Sequence, residues 1–161
     1  MSERDGLSQR MRATVSAHGL ILDRSGDDGV RILLVRLAYR DHREGKWSFP
    51  GGFVDVGESS EVAFKREVAE EIGLELLACR KVETDEMLLS EFPNMGVIYL
   101  CDTWRGVPEC RSREIRETAW VNESDFLALE RAGQLAYAQM GDQIRWVGWR
   151  IARPSPEGVT P

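Results

Sequence analysis

Runs of apolar and branched residues, separated by short polar segments, recur along this chain and predict a sheet of several strands. The predicted strands cover residues 13–23, 30–37, 47–54, 75–87, 95–103 and 114–121. Segment 24–29 is rich in Ser, Gly and Asp, which are typical turn residues. We therefore expect the first two strands to form a hairpin.

A helix is predicted between the third and fourth of these strands. Ser59 or Ser60 is a suitable N-cap and Gly73 is a natural stop, so the helix covers about residues 60–72. One side of this helix is apolar, and we expect that side to be buried. The apolar residues are Val62, Phe64, Val68, Ala69 and Ile72.

A second helix is expected over 123–132, after a cap at Asn122 or Ser124. Residues 134–151 fit neither the helical nor the strand period, and their large apolar side chains are expected to pack into the core. The order of strands and helices predicts an α/β fold with a mixed β-sheet.

Length and composition indicate one small acidic domain, expected over 13–153 between loose termini at 1–12 and 154–161. The net charge of −6, without any basic block, argues against polymeric nucleic acid as a partner. No apolar run is long enough to span a membrane, and the first ten residues do not have the pattern of a secretory signal. Three cysteines without CxxC spacing indicate a reducing, cytoplasmic compartment. Cys79 and Cys101 lie in predicted strands and are expected to be buried thiols.

Three carboxylates share one face of the first predicted helix. Glu67, Glu70 and Glu71 stand at positions i, i+3 and i+4. They lie near the helix C-terminus, where the dipole disfavours anions, and two charges about 4 Å apart repel by about 4 kcal/mol at an effective dielectric of about 20. A hard divalent cation would relieve this repulsion. The alternative is a solvated acidic face with i, i+4 ion pairs.

The stretch from Gly52 to Leu74 resembles the Nudix box, Gly-x5-Glu-x7-Arg-Glu-U-x-Glu-Glu-x-Gly-U, in which U is a bulky aliphatic residue. All nine defined positions are filled, by Gly52, Glu58, Arg66, Glu67, Val68, Glu70, Glu71, Gly73 and Leu74. The resemblance implies an α/β/α sandwich, with the sheet between the helix at 60–72 and the helix at 123–132.

It also implies a hydrolase that uses Mg²⁺, or Mn²⁺ in its place, to cleave a phosphoanhydride bond in a nucleoside diphosphate linked to a moiety X. Glu70 and Glu71 would be the principal metal ligands, with Glu67 as a ligand or the general base. The carbonyl of Gly51, just before the box, would be a further ligand. Nudix relatives are often dimers, so the resemblance allows a homodimer, but the sequence does not fix the oligomeric state.

Other residues have expected roles by the same resemblance. Arg66 would orient a glutamate, and Glu58 would brace the loop or add a ligand through water. Some Nudix enzymes take their general base from a later loop, where Glu114 is the best candidate and Glu117 the next. The favoured alternative is that both are exposed charges at a strand edge. His18 has the pattern of a structural residue.

The identity of X stays open at this point. The downstream motif of NADH pyrophosphatases is absent, Pro93 matches the proline of ADP-ribose pyrophosphatases poorly, and Phe92 replaces the tyrosine of diadenosine polyphosphate hydrolases. Burial of Phe92 is favoured over stacking on a base. Damaged nucleoside triphosphates and nucleotide sugars are further options. The alternative functions are a nucleotide-sensing domain without turnover and a hydrolase of RNA 5′ ends.

Overall fold

The structure is a computed structural model that describes residues 9–149. It contains the strands β1 (Thr14–Asp23), β2 (Arg31–Leu37), β3 (Trp47–Ser48), β4 (Gly51–Phe53), β5 (Glu75–Met87), β6 (Asn94–Arg105) and β7 (Ile115–Val121). The α-helices are α1 (Ser60–Ile72), α2 (Glu123–Arg131) and α3 (Met140–Gln143), and a 3₁₀ helix follows at Ile144–Val147. None of the described helices is long and apolar enough to cross a membrane.

The strands form one mixed sheet, as predicted. Its order is β3-β2-β1-β6-β5, with β4 paired to β1 and β7 paired to β2. Among the strands of residues 9–149, only β1 and β6 run parallel, and the other pairs are antiparallel. The expected hairpin of β1 and β2 is present, with Leu22 opposite Ile32 at its closed end.

Two hydrophobic cores lie on opposite faces of the sheet. Alternate residues of β1 divide between them, because side chains of a strand point to opposite faces. Ala17 and Ile21 join the core under α1, whereas Leu20 and Leu22 join the core under α2. This arrangement confirms the α/β/α sandwich.

The two main helices begin where predicted. The side chain of Ser59 accepts a hydrogen bond from the backbone N–H of Val62, and Asn122 caps α2 in the same way through Asp125. Gly73 ends α1 in the left-handed conformation, with φ of 73°.

The buried face of α1 differs from the prediction. Val62 and Ala69 are exposed, whereas Ala63 and Glu71 are buried together with Phe64, Val68 and Ile72. The helix therefore turns a carboxylate inward. A sequence pattern of apolar residues alone does not reveal this, because the pattern assigns every glutamate to solvent.

Smaller differences follow from strand pairing. The predicted strand 47–54 is two strands separated at Phe49 and Pro50, since proline has no N–H to give to a ladder. Strand β6 extends to Arg105, where it pairs with Glu75.

In the segment 134–151, for which the sequence predicted no regular element, Met140, Ile144 and Val147 pack into the core under α2. The predictions for 1–8 and 150–161 lie outside the described residues.

Candidate active site

Arg66 is the centre of an ion-pair network that connects α1 with the preceding loop. Its guanidinium donates to the carboxylates of Glu58 at 2.6 Å, Glu67 at 2.9 Å and Glu70 at 3.2 Å, and to the carbonyl of Phe53 at 3.2 Å. Arg66 thus orients glutamates.

Glu58 braces the loop before α1. Besides its two bonds to Arg66, it accepts a hydrogen bond from the backbone N–H of Asp55 at 2.8 Å. Arg66 first, and then this N–H group, lower the pKa of Glu58 to about 2. Glu58 therefore holds the turn as an ionised carboxylate.

A cleft of about 590 Å³ opens beside this network, on the α2 side of the sheet. Its floor consists of alternate residues of three strands: Thr14, Ser16 and His18 of β1, Asn94, Gly96 and Ile98 of β6, and Asp85 and Met87 of β5. Glu67 and Glu71 line one end, together with Glu114 from the segment before β7. The segment 137–143 forms a wall.

Glu71 is the buried member of this carboxylate group, with 8% of its surface exposed. Burial, and next the negative charges of Glu67 and Glu114, raise its pKa to about 8. The three carboxylates thus lie close enough to interact strongly. Glu114, which was the best later-loop candidate, is brought to the site, whereas Glu117 pairs with Arg36 outside the cleft.

Glu70 takes a different position from its two neighbours in the helix. Its side chain is 61% exposed and pairs with Arg66, whereas that of Glu67 is 18% exposed and lines the cleft. Within residues 9–149, no three side chains already converge as a ready-made metal site. Clustered carboxylate oxygens and their mutual repulsion nevertheless suit a hard divalent cation. The ligand roles of Glu70 and Gly51 stay predictions.

Two adjacent glycines bring β4 close to the rest of the site. A Cβ atom on Gly51 would lie 2.1 Å from the carbonyl oxygen of Ala17. The backbone N–H of Gly19 donates to the carbonyl of Pro50, and that of Val54 donates to the carbonyl of Val15. Hydrogen-bonded and non-hydrogen-bonded pairs alternate along an antiparallel ladder, so the backbone N–H and C=O of Gly51 point away from β1. Its carbonyl is therefore available on the other side of β4.

Gly52 leaves room for the carboxylate of Glu67. A Cβ atom on Gly52 would lie 2.5 Å from the carboxyl carbon of Glu67. The glycine has no positive φ, so an alanine backbone fits there. A side chain at Gly52 would therefore displace the carboxylate of Glu67.

We expect Gly52→Ala to lower turnover by about tenfold or more while the protein stays folded, because the methyl group displaces Glu67. Steady-state kinetics and a thermal melt measure the two effects. Gly26→Ala is the matched control, since its nearest neighbour is an Arg31 side chain at 3.8 Å. Unchanged turnover in Gly52→Ala would show that the position of Glu67 does not matter.

The cleft also contains Arg43 and His18, which lie outside the box. Of the basic residues in loop 39–46, Arg43 lines the cleft and donates to Tyr137 at 2.8 Å. His18 lines it too, and burial, with a smaller effect of Arg43, lowers its pKa to about 4. Tyr137 and Asp85 were missed, because neither belongs to a motif or a clear periodic pattern.

Phe92 also lines the cleft, and its side chain is 80% exposed. The expectation that Phe92 is buried was therefore wrong, because its loop projects from the sheet between β5 and β6.

The protein is an α/β/α sandwich in which two glutamates of α1 line a cleft. These features define its class. The chain belongs to the family with a NUDIX domain, whose model matches residues 12–142. The match covers most of the chain, so the resemblance seen in the box extends to the whole fold.

Curated relatives share substantial identity with the chain. It is 44% identical over 150 residues to a putative mutator protein MutT4 of Mycobacterium tuberculosis, covering 85% of the chain and 58% of that protein. It is 33% identical over 133 residues to the human mitochondrial NAD(P)H pyrophosphatase NUDT13, covering 78% of the chain and 36% of that protein. An 8-oxo-dGTP diphosphatase of Haemophilus influenzae is 41% identical over 78 residues, which cover 47% of the chain and 54% of that protein.

Solved structures agree on the fold. The NUDIX domain of Shewanella oneidensis NrtR superimposes with a TM-score of 0.71 at 19% identity, over 92% of this chain and all of that one. The Escherichia coli ORF135 protein gives a TM-score of 0.69 at 24% identity, over 90% and 96% of the two chains. At these identities the likeness concerns the fold alone.

Proposed function

We propose that this chain is a metal-dependent pyrophosphohydrolase that cleaves a phosphoanhydride bond in a nucleoside diphosphate linked to a moiety X. The observation that carries the proposal is that Glu67, Glu71 and Glu114 line the same cleft and lie near enough for the first and last to raise the pKa of Glu71. The cleft volume of about 590 Å³ is in the range of small-molecule sites.

The relatives support the same reaction class. Their names describe an NAD(P)H pyrophosphatase and 8-oxo-dGTP diphosphatases, all of which act on the phosphates of nucleotides. Removal of damaged nucleotides from the nucleotide pool is therefore one role that we propose. Cytoplasmic location and a homodimeric state stay predictions.

The proposed metal is Mg²⁺, with Mn²⁺ as a substitute. Glu67 and Glu71 would hold it from α1, together with the carbonyl of Gly51, and Glu70 would contribute from the outer side of the helix. A bound cation would neutralise the charge that develops on the phosphate oxygens. Arg66 keeps Glu67 and Glu70 in place and does not reach into the cleft.

The attacking water must lose a proton to a carboxylate of the site. Glu114 is exposed and faces the cleft next to Glu71, so it is placed to accept this proton and release it to solvent. Glu67 is the alternative base, but Arg66 donates to it at 2.9 Å and favours its role as a fixed anion.

We expect release of a phosphate-containing product from at least one nucleotide class, with Mg²⁺ or Mn²⁺ and not with chelator. The panel contains ADP-ribose, NADH, diadenosine polyphosphates, nucleotide sugars, and normal and oxidised nucleoside triphosphates. Cleavage of one class would identify X. Binding without product across the panel would contradict hydrolysis and favour the sensing domain, and cleavage confined to triphosphate or capped RNA would favour the RNA hydrolase.

A further inference from the structure

Two cysteine residues lie side by side on neighbouring strands, on the face of the sheet that is turned away from the cleft. Cys79 of β5 is directly opposite Cys101 of β6 in the antiparallel ladder. Cys101 is fully buried in the core under α1, and Cys79 is half-buried and packs against the same core. Gly96 and Ile98 of β6 line the cleft and point to the other face, so the thiol pair is separate from the candidate active site.

The register of these strands has the geometry that a disulfide requires. Opposite residues of an antiparallel pair have Cα atoms about 4.5–5.5 Å apart and side chains on the same face. A disulfide needs Cα atoms about 4.4–6.8 Å apart and Cβ atoms that point toward each other. A hydrogen bond between the two thiols is also the largest influence on both pKa values, raising that of Cys79 and lowering that of Cys101. The two sulfur atoms therefore lie within reach of each other.

The strand that carries Cys79 is able to adjust. Among the described strands, β5 pairs with β6 alone and is thus an edge of the sheet. The register of the two strands shifts between Ala78 and Cys79, so the ladder is irregular immediately before the cysteine. The Cβ atoms of opposite residues lie about 5 Å apart and must approach to about 4 Å in a disulfide. An irregular edge strand permits this small movement, because no second neighbour holds it.

The surroundings of Cys79 allow a small oxidant to reach the pair. Cys79 is the half-buried member, and the ammonium group of Lys65 donates to the nearby carbonyl of Leu77 at 3.2 Å. Cys101 and burial raise the pKa of Cys79 most, whereas the charge of Lys65 lowers it and that of Glu61 raises it. A cation beside a partly exposed thiol favours the reactive thiolate, which distinguishes this pair from inert core thiols.

We propose that Cys79 and Cys101 form a reversible disulfide on exposure to hydrogen peroxide and that this bond stabilises the fold. The Cys79 sulfur attacks one peroxide oxygen and the O–O bond breaks, which gives a sulfenic acid and one water. The Cys101 sulfur then attacks the Cys79 sulfur, the S–O bond breaks and a second water leaves. Each sulfur loses one electron, the peroxide accepts both, and the two thiol protons leave in the waters. A thiol reductant reverses the reaction.

The bond would close the segment 79–101, which is the β5–β6 hairpin that supplies Asp85, Asn94 and Gly96 to the cleft. A disulfide stabilises mainly because it restricts the unfolded chain. In a reducing compartment the thiols are the resting state, and a disulfide there responds to oxidants. The inference goes beyond the proposed hydrolysis and does not depend on it.

Mass spectrometry of the full chain with Cys110→Ser tests the pair, because this variant removes the exposed third thiol. After treatment with hydrogen peroxide, denaturation and alkylation, we expect a protein that has lost two hydrogen atoms and contains no alkylated cysteine. A digest should contain one cross-linked peptide with Cys79 and Cys101. Dithiothreitol should restore two thiols that can be alkylated.

Thermal melts test the effect on the fold. Oxidation of the Cys110→Ser protein should raise its thermal midpoint by about 5 °C or more, and dithiothreitol should reverse the rise. The matched control adds Cys79→Ser, which keeps the size of the side chain but leaves Cys101 without a partner. Its midpoint should not rise with peroxide. If this control does not fold, the reversal by dithiothreitol in Cys110→Ser serves as the comparison.

Three results would each overturn the proposal. They are two free thiols after peroxide treatment, oxygen added to Cys79 or a disulfide between two protein molecules in place of the internal bond, and an internal bond that does not raise the midpoint. Loss of the proposed hydrolase activity would leave all of these measurements unchanged, so the two proposals fail independently.

Discussion

Glu71→Gln is expected to lower metal-dependent turnover by about a thousandfold, because the proposed cation would lose a ligand and such a cation supplies several kcal/mol of charge stabilisation. Glu71 is the buried carboxylate of the group and lines the cleft. Glutamine keeps the shape of the side chain but removes the charge that would attract the cation. Steady-state turnover at several Mg²⁺ concentrations, with product detection, measures the loss.

Variants on the same helix make this result specific. Glu61→Gln removes a charge from an exposed residue paired with Lys65 and should leave turnover within a few-fold. Glu70→Gln decides whether the glutamate outside the cleft is also a ligand. If Glu70→Gln and Glu71→Gln both retain turnover within a few-fold, the ligand assignment fails.

The base assignment follows from a second pair of variants. Glu114→Gln should lower turnover more strongly than it affects folding, because Glu114 lies at the exposed end of the carboxylate group. If Glu114→Gln has no effect while Glu67→Gln abolishes turnover, the assignment of Glu114 as the base fails.

Local sequence signals identified one side of the site. The helix α1, its Ser59 cap and its Gly73 stop follow from short-range chemistry, and the spacing of Glu67, Glu70 and Glu71 follows from the helical repeat. The position of Glu114 was reached through resemblance. In the structure it depends on β7 pairing with β2, a long-range contact that a periodic pattern does not encode.

The other side of the cleft was not predictable in the same way. The wall from Tyr137 to Gln143 includes the short helix α3 and fits no regular period. Asp85 faces the cleft only because of its register with Gly96, and a shift of one residue would turn it to the opposite face. The inward direction of Glu71 was also hidden, because burial of a charge contradicts the usual preference and occurs where function requires it.

The stability of the metal-free protein is expected to fall as the pH rises from about 4.5 to about 8, through Glu71. Burial, then Glu67 and Glu114, raise the pKa of this carboxyl from 4.5 to about 8 in the folded state. The folded state therefore keeps a proton that the unfolded chain has released, so the stabilising contribution is complete below about 4.5 and is lost as pH passes about 8. At about 1.4 kcal/mol per pKa unit, the loss amounts to a few kcal/mol.

Glu71→Gln isolates this effect, because glutamine does not titrate. Thermal midpoints in chelator should fall with pH for the unmodified protein relative to the variant, by about 2–4 °C for each kcal/mol. The lowered pKa of His18 has the opposite effect on stability, which it reduces as the pH falls from 6.5 to about 4. Because His18 is present in both proteins, this effect cancels when their profiles are compared. Mg²⁺ should raise the midpoint of the unmodified protein most near pH 8, where it replaces the missing proton among the carboxylates. Parallel pH profiles of the two proteins in chelator would contradict the raised pKa of Glu71.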